Sequence, residues 1–281
     1  MTGPSPAPLS GGILTSTKNP RVRAAIGLRD RRTRDETGLT LVDGVRELAR
    51  ALAGRAQAIE VFVVEHALDE AGAAAVELAR SGGAAIVPVT AGVLDRLGYG
   101  ERSEGVVATV RIPDVSLGRL SAALPADPLI VVLEAVEKPG NLGAVLRSAD
   151  AAGADAVIVA DPRTDLFNPN AIRASLGTVF AVPVGAGTAA DVRAWLDASR
   201  VRVLAARVGA AIPYTDADLR GPVALVLGSE AEGLTDAWTG QDVTAVSLPM
   251  LGVADSLNVS VTAAVLLYEA RRQRGARVTE A

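Results

Sequence analysis

The feature that most constrains the fold is a set of nearly continuous apolar segments in the C-terminal half of the chain. PLIVVLEAV (128–136), DAVIVA (155–160) and VALVL (223–227) have the length of strands, and stretches with helical periodicity lie between them. A strand that is apolar on both faces must be covered on both faces, as in a parallel sheet flanked by helices. The pattern therefore predicts a doubly wound α/β domain.

The N-terminal half shows a shorter alternation of strands and helices, which predicts a small α/β sandwich. Two prolines and the lack of periodicity predict an interdomain linker over 114–128. We therefore expect domains over 1–113 and 129–281. The first residues, 1–12, have neither a charged start nor an apolar core, so we expect a disordered leader and no signal peptide.

Composition excludes several classes of function. The chain has no cysteine, which excludes disulfides, thiolate nucleophiles and cysteine-ligated clusters and fits a cytoplasmic protein. With His66 as its only histidine, a His-rich metal site or a Ser–His relay is disfavoured. No apolar run approaches the roughly 18–20 residues of a membrane span. We expect a cytoplasmic protein with no metal and no membrane partner.

Basic residues are concentrated near the start of the chain. The net charge is −4, yet residues 1–50 carry nine basic side chains against five acidic ones. Residues 19–38 are predicted to form one basic helix, capped by Asn19 and ended by Gly38. Either this helix contacts phosphate groups of a ligand, or it is a solvated face balanced by its own acids. The candidate phosphate-binding residues on it are Arg21, Arg29, Arg31, Arg32 and Arg34.

Three polar loops follow strands of the predicted C-terminal sheet, at 137–148, 228–234 and 249–258. The carboxyl ends of parallel strands are where open α/β sheets bind ligands, so we expect the loops to form one pocket. Ser256 or Asp255 is predicted to cap the helix after the third loop, and Asn141 the helix after the first. The chain has neither the G-x-G-x-x-G run of dinucleotide sites nor a P-loop, which argues against NAD or ATP.

The sequences of these loops resemble the three motifs of the SpoU/TrmH family of RNA 2′-O-ribose methyltransferases, in the SPOUT superfamily. The matching segments are NLGAVLRSADAAGA (141–154), LVLGSEAEGL (225–234) and LPMLGVADSLNVSVTAAVLLYE (248–269). The resemblance covers about 129–270 and implies a parallel sheet with a deep trefoil knot, S-adenosylmethionine as cofactor, and a homodimer with its active site near the subunit interface. The N-terminal domain resembles the ribosomal-protein-like RNA-binding module of many members.

The resemblance also implies roles for particular residues. The implied catalytic residues are Asn141, Arg147, Glu230, Ser256 and Asn258. The implied cofactor-binding residues are Gly228, Leu248, Met250, Ser256 and Leu257. Arg173 and Ser175, in the segment RASLGTVF, are expected to face the RNA. Two positions depart from the family pattern: Ala231 replaces a frequent glycine, and Lys138 stands where an acidic residue is common.

The expected substrate is RNA, with 23S ribosomal RNA as first choice and transfer RNA as second. Two-domain members of the family are similar to enzymes of large-subunit ribosomal RNA, including antibiotic self-resistance enzymes. A non-catalytic RNA-binding protein on the same fold is the competing hypothesis, but it predicts the loss of Arg147 or Asn141, and both are present. A nucleotide-binding oxidoreductase would need the missing glycine fingerprint. Arg147 could serve as a base or as an electrostatic clamp; permanent protonation of arginine favours the clamp.

Overall fold

The computed structural model describes residues 12–99, 104–229 and 231–275. The chain forms two compact units, one of Met1–Pro113 and Phe167–Pro169, the other of Asp114–Leu166 and Asn170–Ala281. The predicted linker over 114–128 therefore belongs to the second unit. Its helix α6 (Leu117–Ser121) buries Leu120 completely in the core of that unit, and so short a helix leaves little periodicity to detect. The predicted leader falls almost entirely outside the described residues.

The first unit is a four-stranded sheet with helices, as predicted. Its elements are α1 (Pro20–Gly27), α2 (Arg31–Thr37), β1 (Leu39–Asp43), α3 (Val45–Ala53), β2 (Ala58–Val63), α4 (Glu70–Ser81), β3 (Ala85–Pro88), α5 (Ala91–Leu97) and β4 (Val106–Arg111). The strands lie in the order β1-β4-β2-β3, with β4 antiparallel to both β1 and β2 and with β3 parallel to β2. Apolar residues of the strands and of two helices form one core cluster.

The single basic helix predicted over 19–38 is instead two helices. Asn19 caps α1 as expected, with its side chain accepting from the backbone N–H of Arg21. The break comes from Asp30, whose Oδ1 accepts from the backbone N–H of Arg32 at 2.8 Å and so starts α2. An aspartate competes with helical hydrogen bonding in this way because it offers the backbone a local partner. Gly38, at φ 66°, ends α2 as predicted.

The second unit is the predicted doubly wound parallel sheet. Its strands lie in the order β7-β6-β5-β10-β8-β11-β9, and neighbouring strands are parallel throughout. Besides α6, the elements are β5 (Leu129–Glu134), α7 (Pro139–Ala152), β6 (Ala156–Ala160), α8 (Pro169–Ala174), β7 (Val184–Gly187), α9 (Ala189–Ala198), β8 (Arg202–Ala206), β9 (Ile212–Pro213), β10 (Val223–Leu227), β11 (Val243–Ser247) and α10 (Val259–Gln273).

The strand order places the switch point of this sheet between β5 and β10. From β5 the chain continues to one side through β6 and β7, and it later crosses to the other side. The first polar loop follows β5, the second follows β10, and the third follows β11, so all three leave the same edge of the sheet. The deep trefoil knot stays a prediction.

Helices α7 and α10, which carry the first and third motifs, pack against each other. The guanidinium of Arg271 on α10 donates to the backbone carbonyls of Ala152 and Gly153, at the C-terminal end of α7. A cation at that end satisfies carbonyls that have no partner within the helix and complements its dipole. This contact fixes the two helices relative to each other.

Candidate active site

A cavity of about 620 Å³ opens at the carboxyl edge of the parallel sheet. It is lined by residues that follow β8, β10 and β11 and by the first turns of α10. All five residues predicted to bind the cofactor line it, namely Gly228, Leu248, Met250, Ser256 and Leu257. The structure therefore brings these residues together at one site of a size typical for small-molecule ligands.

The second motif forms a tight turn that only glycine permits. The backbones of Ser229 and Gly233 exchange two hydrogen bonds of 3.1 Å. A Cβ on Gly228 would lie 2.1 Å from the carbonyl carbon of Gly233, and Gly233 itself has a φ of +69°. Glu230, predicted to be catalytic, belongs to the second motif but lies outside the described residues, so its role stays a prediction.

Two side chains that were not predicted from the sequence fix the end of this turn. Glu134, buried at the end of β5, accepts from the backbone N–H of Thr235 at 2.8 Å and from its hydroxyl at 2.6 Å. Arg207 donates to the carbonyls of Leu234, Thr235 and Trp238 at 3.1, 2.8 and 3.2 Å and also lines the cavity. An acid at the end of an otherwise apolar strand was the signal that could have identified Glu134.

The first and third motifs meet through two asparagines. The side-chain Nδ2 of Asn258 donates to Oδ1 of Asn141 at 3.2 Å. Asn258 also caps α10, since its Oδ1 accepts from the backbone N–H of Ser260 at 2.9 Å. The prediction of Ser256 or Asp255 as this cap was therefore wrong. The prediction of Asn141 as the cap of α7 was wrong as well, because α7 begins at Pro139 and Lys138 is its N-cap residue. The two hydrogen bonds hold the Asn258 amide in one orientation.

A second cavity of about 300 Å³ adjoins the first. The two cavities share the lining residues Lys138, Gly228, Ser229 and Val259. The smaller one is otherwise lined by Val136, Glu137, Asn141 and Ala231. Asn141 therefore lies beside the larger cavity, in a compartment formed by the first and second motifs.

Arg163, in the loop after β6, joins the walls of the two cavities. One of its nitrogens donates to Glu232 at 2.9 Å, and the other pairs with Glu137. Hydrogen bonds from the carboxylates, first that of Glu137 and then that of Glu232, raise the pKa of the Arg163 guanidinium. Since Glu137 lines the smaller cavity and Glu232 the larger, this cation connects the first motif to the second.

The glycine of the first motif, Gly143, has a packing role. A Cβ at this position would lie 2.5 Å from Cβ of Ala174 and 2.6 Å from the backbone nitrogen of Ser175. Ser175 is itself buried, and its hydroxyl donates to the carbonyl of Ile172 at 2.8 Å. The expectation that Ser175 faces RNA was therefore wrong. Arg173 is exposed, and its RNA contact stays a prediction.

Arg147 stands apart from both cavities. It is exposed on α7 and lines neither the larger nor the smaller cavity. Its guanidinium forms no hydrogen bond or ion pair with any residue that the structure describes. The structure thus unites Asn141, Ser256 and Asn258 at the cavities but leaves the predicted catalytic arginine on the surface of α7.

The arginines of the first unit are mostly engaged within the unit. Arg34 is 1% exposed and donates to the carbonyls of Leu28 and Arg29 at 2.8 and 2.9 Å, so its predicted RNA contact was wrong. Arg29 donates to the carbonyls of 96–98 and lies over the ring of Tyr99. The other three pair with carboxylates: Arg21 with Glu60, Arg31 with Asp35, and Arg32 with Glu36.

Within the described ranges, no group of three or more His, Cys, Asp or Glu side chains is arranged to hold a metal ion. No helix in the same part of the chain has the length and apolar character needed to cross a membrane.

Comparison with known proteins gives matches over both units. The SpoU rRNA Methylase family model matches 128–268, and an MRM3-like substrate binding domain model matches 19–108.

A 23S rRNA (uridine(2479)-2′-O)-methyltransferase of Streptomyces viridochromogenes is 36% identical over 184 residues, 62% of this chain and 63% of that protein. A 23S rRNA (guanosine-2′-O-)-methyltransferase of Xylella fastidiosa is 39% identical over 204 residues, 70% of this chain and 82% of that protein. The crystal structure of a SpoU methyltransferase from S. viridochromogenes with bound AdoMet has 31% identity, a TM-score of 0.83, and coverage of 92% of this chain and 98% of that one.

Proposed function

Because the chain belongs to the SpoU rRNA methylase family, we propose that it transfers the methyl group of S-adenosylmethionine to a ribose 2′-hydroxyl of RNA. The observation that carries this proposal is the convergence of the three loops on one cavity at the carboxyl edge of the parallel sheet. Lys138, Gly228 and Ser256, one from each loop, line it together, which core packing alone does not require.

The cavity suits S-adenosylmethionine, a ligand with a flat apolar base, a sugar and a charged amino-acid end. Leu248, Met250 and Leu257 offer apolar contact, and Glu232 and Arg207 offer both signs of charge. The tight turn at Gly228 lets backbone groups approach a ligand closely. When bound, the cofactor supplies an electrophilic methyl group on its sulfonium.

Asn141 and Asn258 are proposed to position the acceptor ribose. Their side chains are joined by a hydrogen bond, and both residues line a cavity. Because methyl transfer is an in-line displacement, holding the hydroxyl at the right distance and angle supplies much of the rate. Ser256, in the wall of the larger cavity, and Glu230, in the second motif, complete the proposed polar centre.

Arg147 is proposed to stabilise negative charge that develops on the attacking oxygen. A guanidinium stays protonated in proteins, so it serves as a donor of charge-assisted hydrogen bonds rather than as a base. Its lack of an intramolecular partner within the described chain leaves its donors available for RNA. Such preorganised donors at a developing oxyanion give large rate effects.

We further propose a homodimer, which would bring Arg147 to the active site of a second copy. Apolar side chains are exposed on the third loop and on α10: Leu251 is 97% exposed, Tyr268 57%, and Val253 and Val261 are exposed as well. Apolar groups this exposed in neighbouring segments are typical of an interaction surface. A second copy that covers them would place the active site near the subunit interface.

The proposed substrate is 23S ribosomal RNA in the cytoplasm, since both relatives compared above are named as 23S methyltransferases. One is named for uridine and the other for guanosine, so the target nucleotide must be mapped. The first unit, which matches a substrate binding domain model, is proposed to bind the RNA. A role in antibiotic resistance is a further hypothesis, tested by drug susceptibility of a strain with and without the gene.

The test is incorporation of tritiated methyl from S-adenosylmethionine into separated, unmodified 23S, 16S and transfer RNA. We expect label on one 23S ribose, with resistance of that linkage to alkaline cleavage, because a 2′-O-methyl group blocks the hydroxyl that attacks the phosphate. Label on transfer RNA would keep the reaction and change the substrate. Absence of cofactor binding, measured by calorimetry, would contradict the methyltransferase assignment.

A further inference from the structure

Lys138 occupies a position that local helix chemistry does not favour. It is the N-cap residue of α7, and its side chain makes no capping hydrogen bond. N-caps prefer Asp, Asn, Ser or Thr, whose oxygens accept from the free N–H groups of the first turn. A cation there also lies at the positive end of the helix dipole. Where a chain breaks local rules at a binding site, function is the usual reason.

The same lysine lies where the two cavities meet. It lines both the larger cavity and the smaller one, and Asn141 in the smaller cavity follows it by less than one helical turn. Of the described residues that line the smaller cavity, Lys138 is the one cation. The larger cavity has a second cation in Arg207.

The charge balance around the cavities depends on this residue. Among the described residues, Glu137 and Glu232 carry the negative charges of the cavity walls, and Arg163 and Arg207 carry two positive charges beside them. Lys138 raises the sum of these charges from zero to +1. An acidic residue at 138 would lower it to −1, which would repel a phosphate.

We propose that Lys138 is a specificity-determining residue that binds a phosphate of the RNA strand adjacent to the acceptor ribose. The inference rests on the proposed function. A 2′-hydroxyl neighbours the 3′-phosphate of its own nucleotide, so a ribose held beside Asn141 brings an oxyanion close to this lysine. An ammonium binds such a phosphate as a compact point charge. The carboxylate of S-adenosylmethionine is a second oxyanion that an ammonium binds, and the experiment below distinguishes it from the RNA phosphate.

The test compares Lys138→Met, which keeps the apolar stem and removes the charge, with Lys138→Asp, which reverses the charge. Methyl transfer is measured against RNA concentration at several salt concentrations, and cofactor affinity by calorimetry. For Lys138→Met we expect the KM for RNA to rise roughly tenfold and the slope of log KM against log salt to fall by about 0.7, as for one lost phosphate contact. Cofactor Kd should stay within about twofold, since the charge binds RNA.

Lys138→Asp adds a readout that a merely structural role would not produce. Its carboxylate can cap α7, so we expect an equal or higher unfolding temperature together with an RNA KM above that of Lys138→Met. Arg220→Met is the matched control, because Arg220 is exposed, pairs with Asp218 and lines neither cavity. It should leave KM unchanged.

Each result bears on the proposal. An unchanged RNA KM in Lys138→Met, with normal methyl transfer by the wild-type protein, overturns the role of Lys138 and leaves the proposed function intact. A raised cofactor Kd with an unchanged RNA KM assigns the lysine to the cofactor carboxylate and also overturns it. Absence of methyl transfer by the wild-type protein overturns both proposals.

Discussion

The two units differ in how they use their polar side chains. In α1 and α2 most of the arginines bind carboxylates and carbonyls of their own unit: Arg34 is buried on backbone carbonyls, and Arg32 pairs with a glutamate one turn away. In the second unit, Asn141 and Asn258 come from segments 117 residues apart and meet at cavities. In the first unit, the arginines that cluster in the sequence thus neutralise nearby groups. In the second unit, polar residues that come together from distant strand ends form the candidate site.

The strongest test of this comparison is Arg147→Ala. Arg147 is an exposed arginine without a partner in the described chain, the opposite of Arg34. We expect kcat to fall by about 10²–10³, the effect of removing one donor from a developing oxyanion. Cofactor Kd, measured by calorimetry, should stay within about threefold.

Arg147→Lys keeps the charge but loses the planar fork, so it should be nearly as inactive. Turnover of either variant within a few fold of wild type would show that this arginine is a surface residue like Arg32.

The next test concerns the buried arginine of the first unit. Arg34→Ala removes both donors from the carbonyls of Leu28 and Arg29 and leaves a cavity, so we expect a loss of about 2–3 kcal/mol in the free energy of unfolding. Arg32→Ala, its matched control, removes an exposed ion pair and should cost under about 0.5 kcal/mol. Denaturant titration measures both, and equal losses would contradict the structural role of Arg34.

Sequence patterns predicted most of the fold because the periodicity of apolar residues can be read over a few consecutive positions. The apolar segments predicted β5, β6 and β10, and the positions of Asn19 and Gly38 predicted where the basic segment begins and ends. The break at Asp30 was missed. A continuous helix and a second helix capped by Asp30 differ only in whether the Asp30 side chain accepts a hydrogen bond from the backbone of Arg32. The helix α6 was missed for its length alone.

The sequence predicted residues that line the candidate site, but not the side chains that hold its loops in place. Family motifs named the five cofactor residues that line the larger cavity, since those residues lie on loops whose order the sheet fixes. Arg207 and Arg163 could not be identified, because their partners lie 26 to 69 residues away. Glu134 was recognisable as an acid at the end of an apolar strand, but its partner Thr235, 101 residues away, was not. Ser175 was misassigned since a serine in a loop gives no indication of its burial.

A smaller effect is expected from a local ion pair of the second unit whose carboxylate is buried and whose guanidinium is exposed. The carboxylate of Glu269 is 9% exposed, and hydrogen bonds from Arg272 and then Gln273 hold its pKa at about 2, below the ordinary 4.5. A depressed pKa stabilises the fold above pH 4.5, and this contribution is lost as the pH falls toward 2. Glu269→Gln should therefore cost about 1 kcal/mol at pH 7, discounted for the exposure of Arg272.

The difference between Glu269→Gln and wild type should shrink as unfolding is followed from pH 7 to pH 3. Glu36→Gln, which removes the carboxylate of the exposed pair in α2, should change stability little at any pH. A difference for Glu269→Gln that does not depend on pH would assign its effect to packing rather than to charge.

The smallest expected effect concerns RNA binding by the first unit, where the comparison suggests a different arginine from those first predicted. Arg23 is exposed on α1 and has no partner among the described residues, whereas Arg31 lies 3.7 Å from Asp35. For Arg23→Gln we expect about twofold weaker binding of 23S RNA and a salt slope lower by about 0.7–0.9, the value for one phosphate contact. Arg31→Gln should change the slope by less than half as much, because its charge is already partly neutralised.

Fluorescence anisotropy between 50 and 200 mM salt, a range in which phosphate contacts dominate affinity, resolves this difference. Equal slopes for the two variants would mean that the ion pair of Arg31 opens on RNA binding, and the contrast between satisfied and available arginines would then hold only for the free protein.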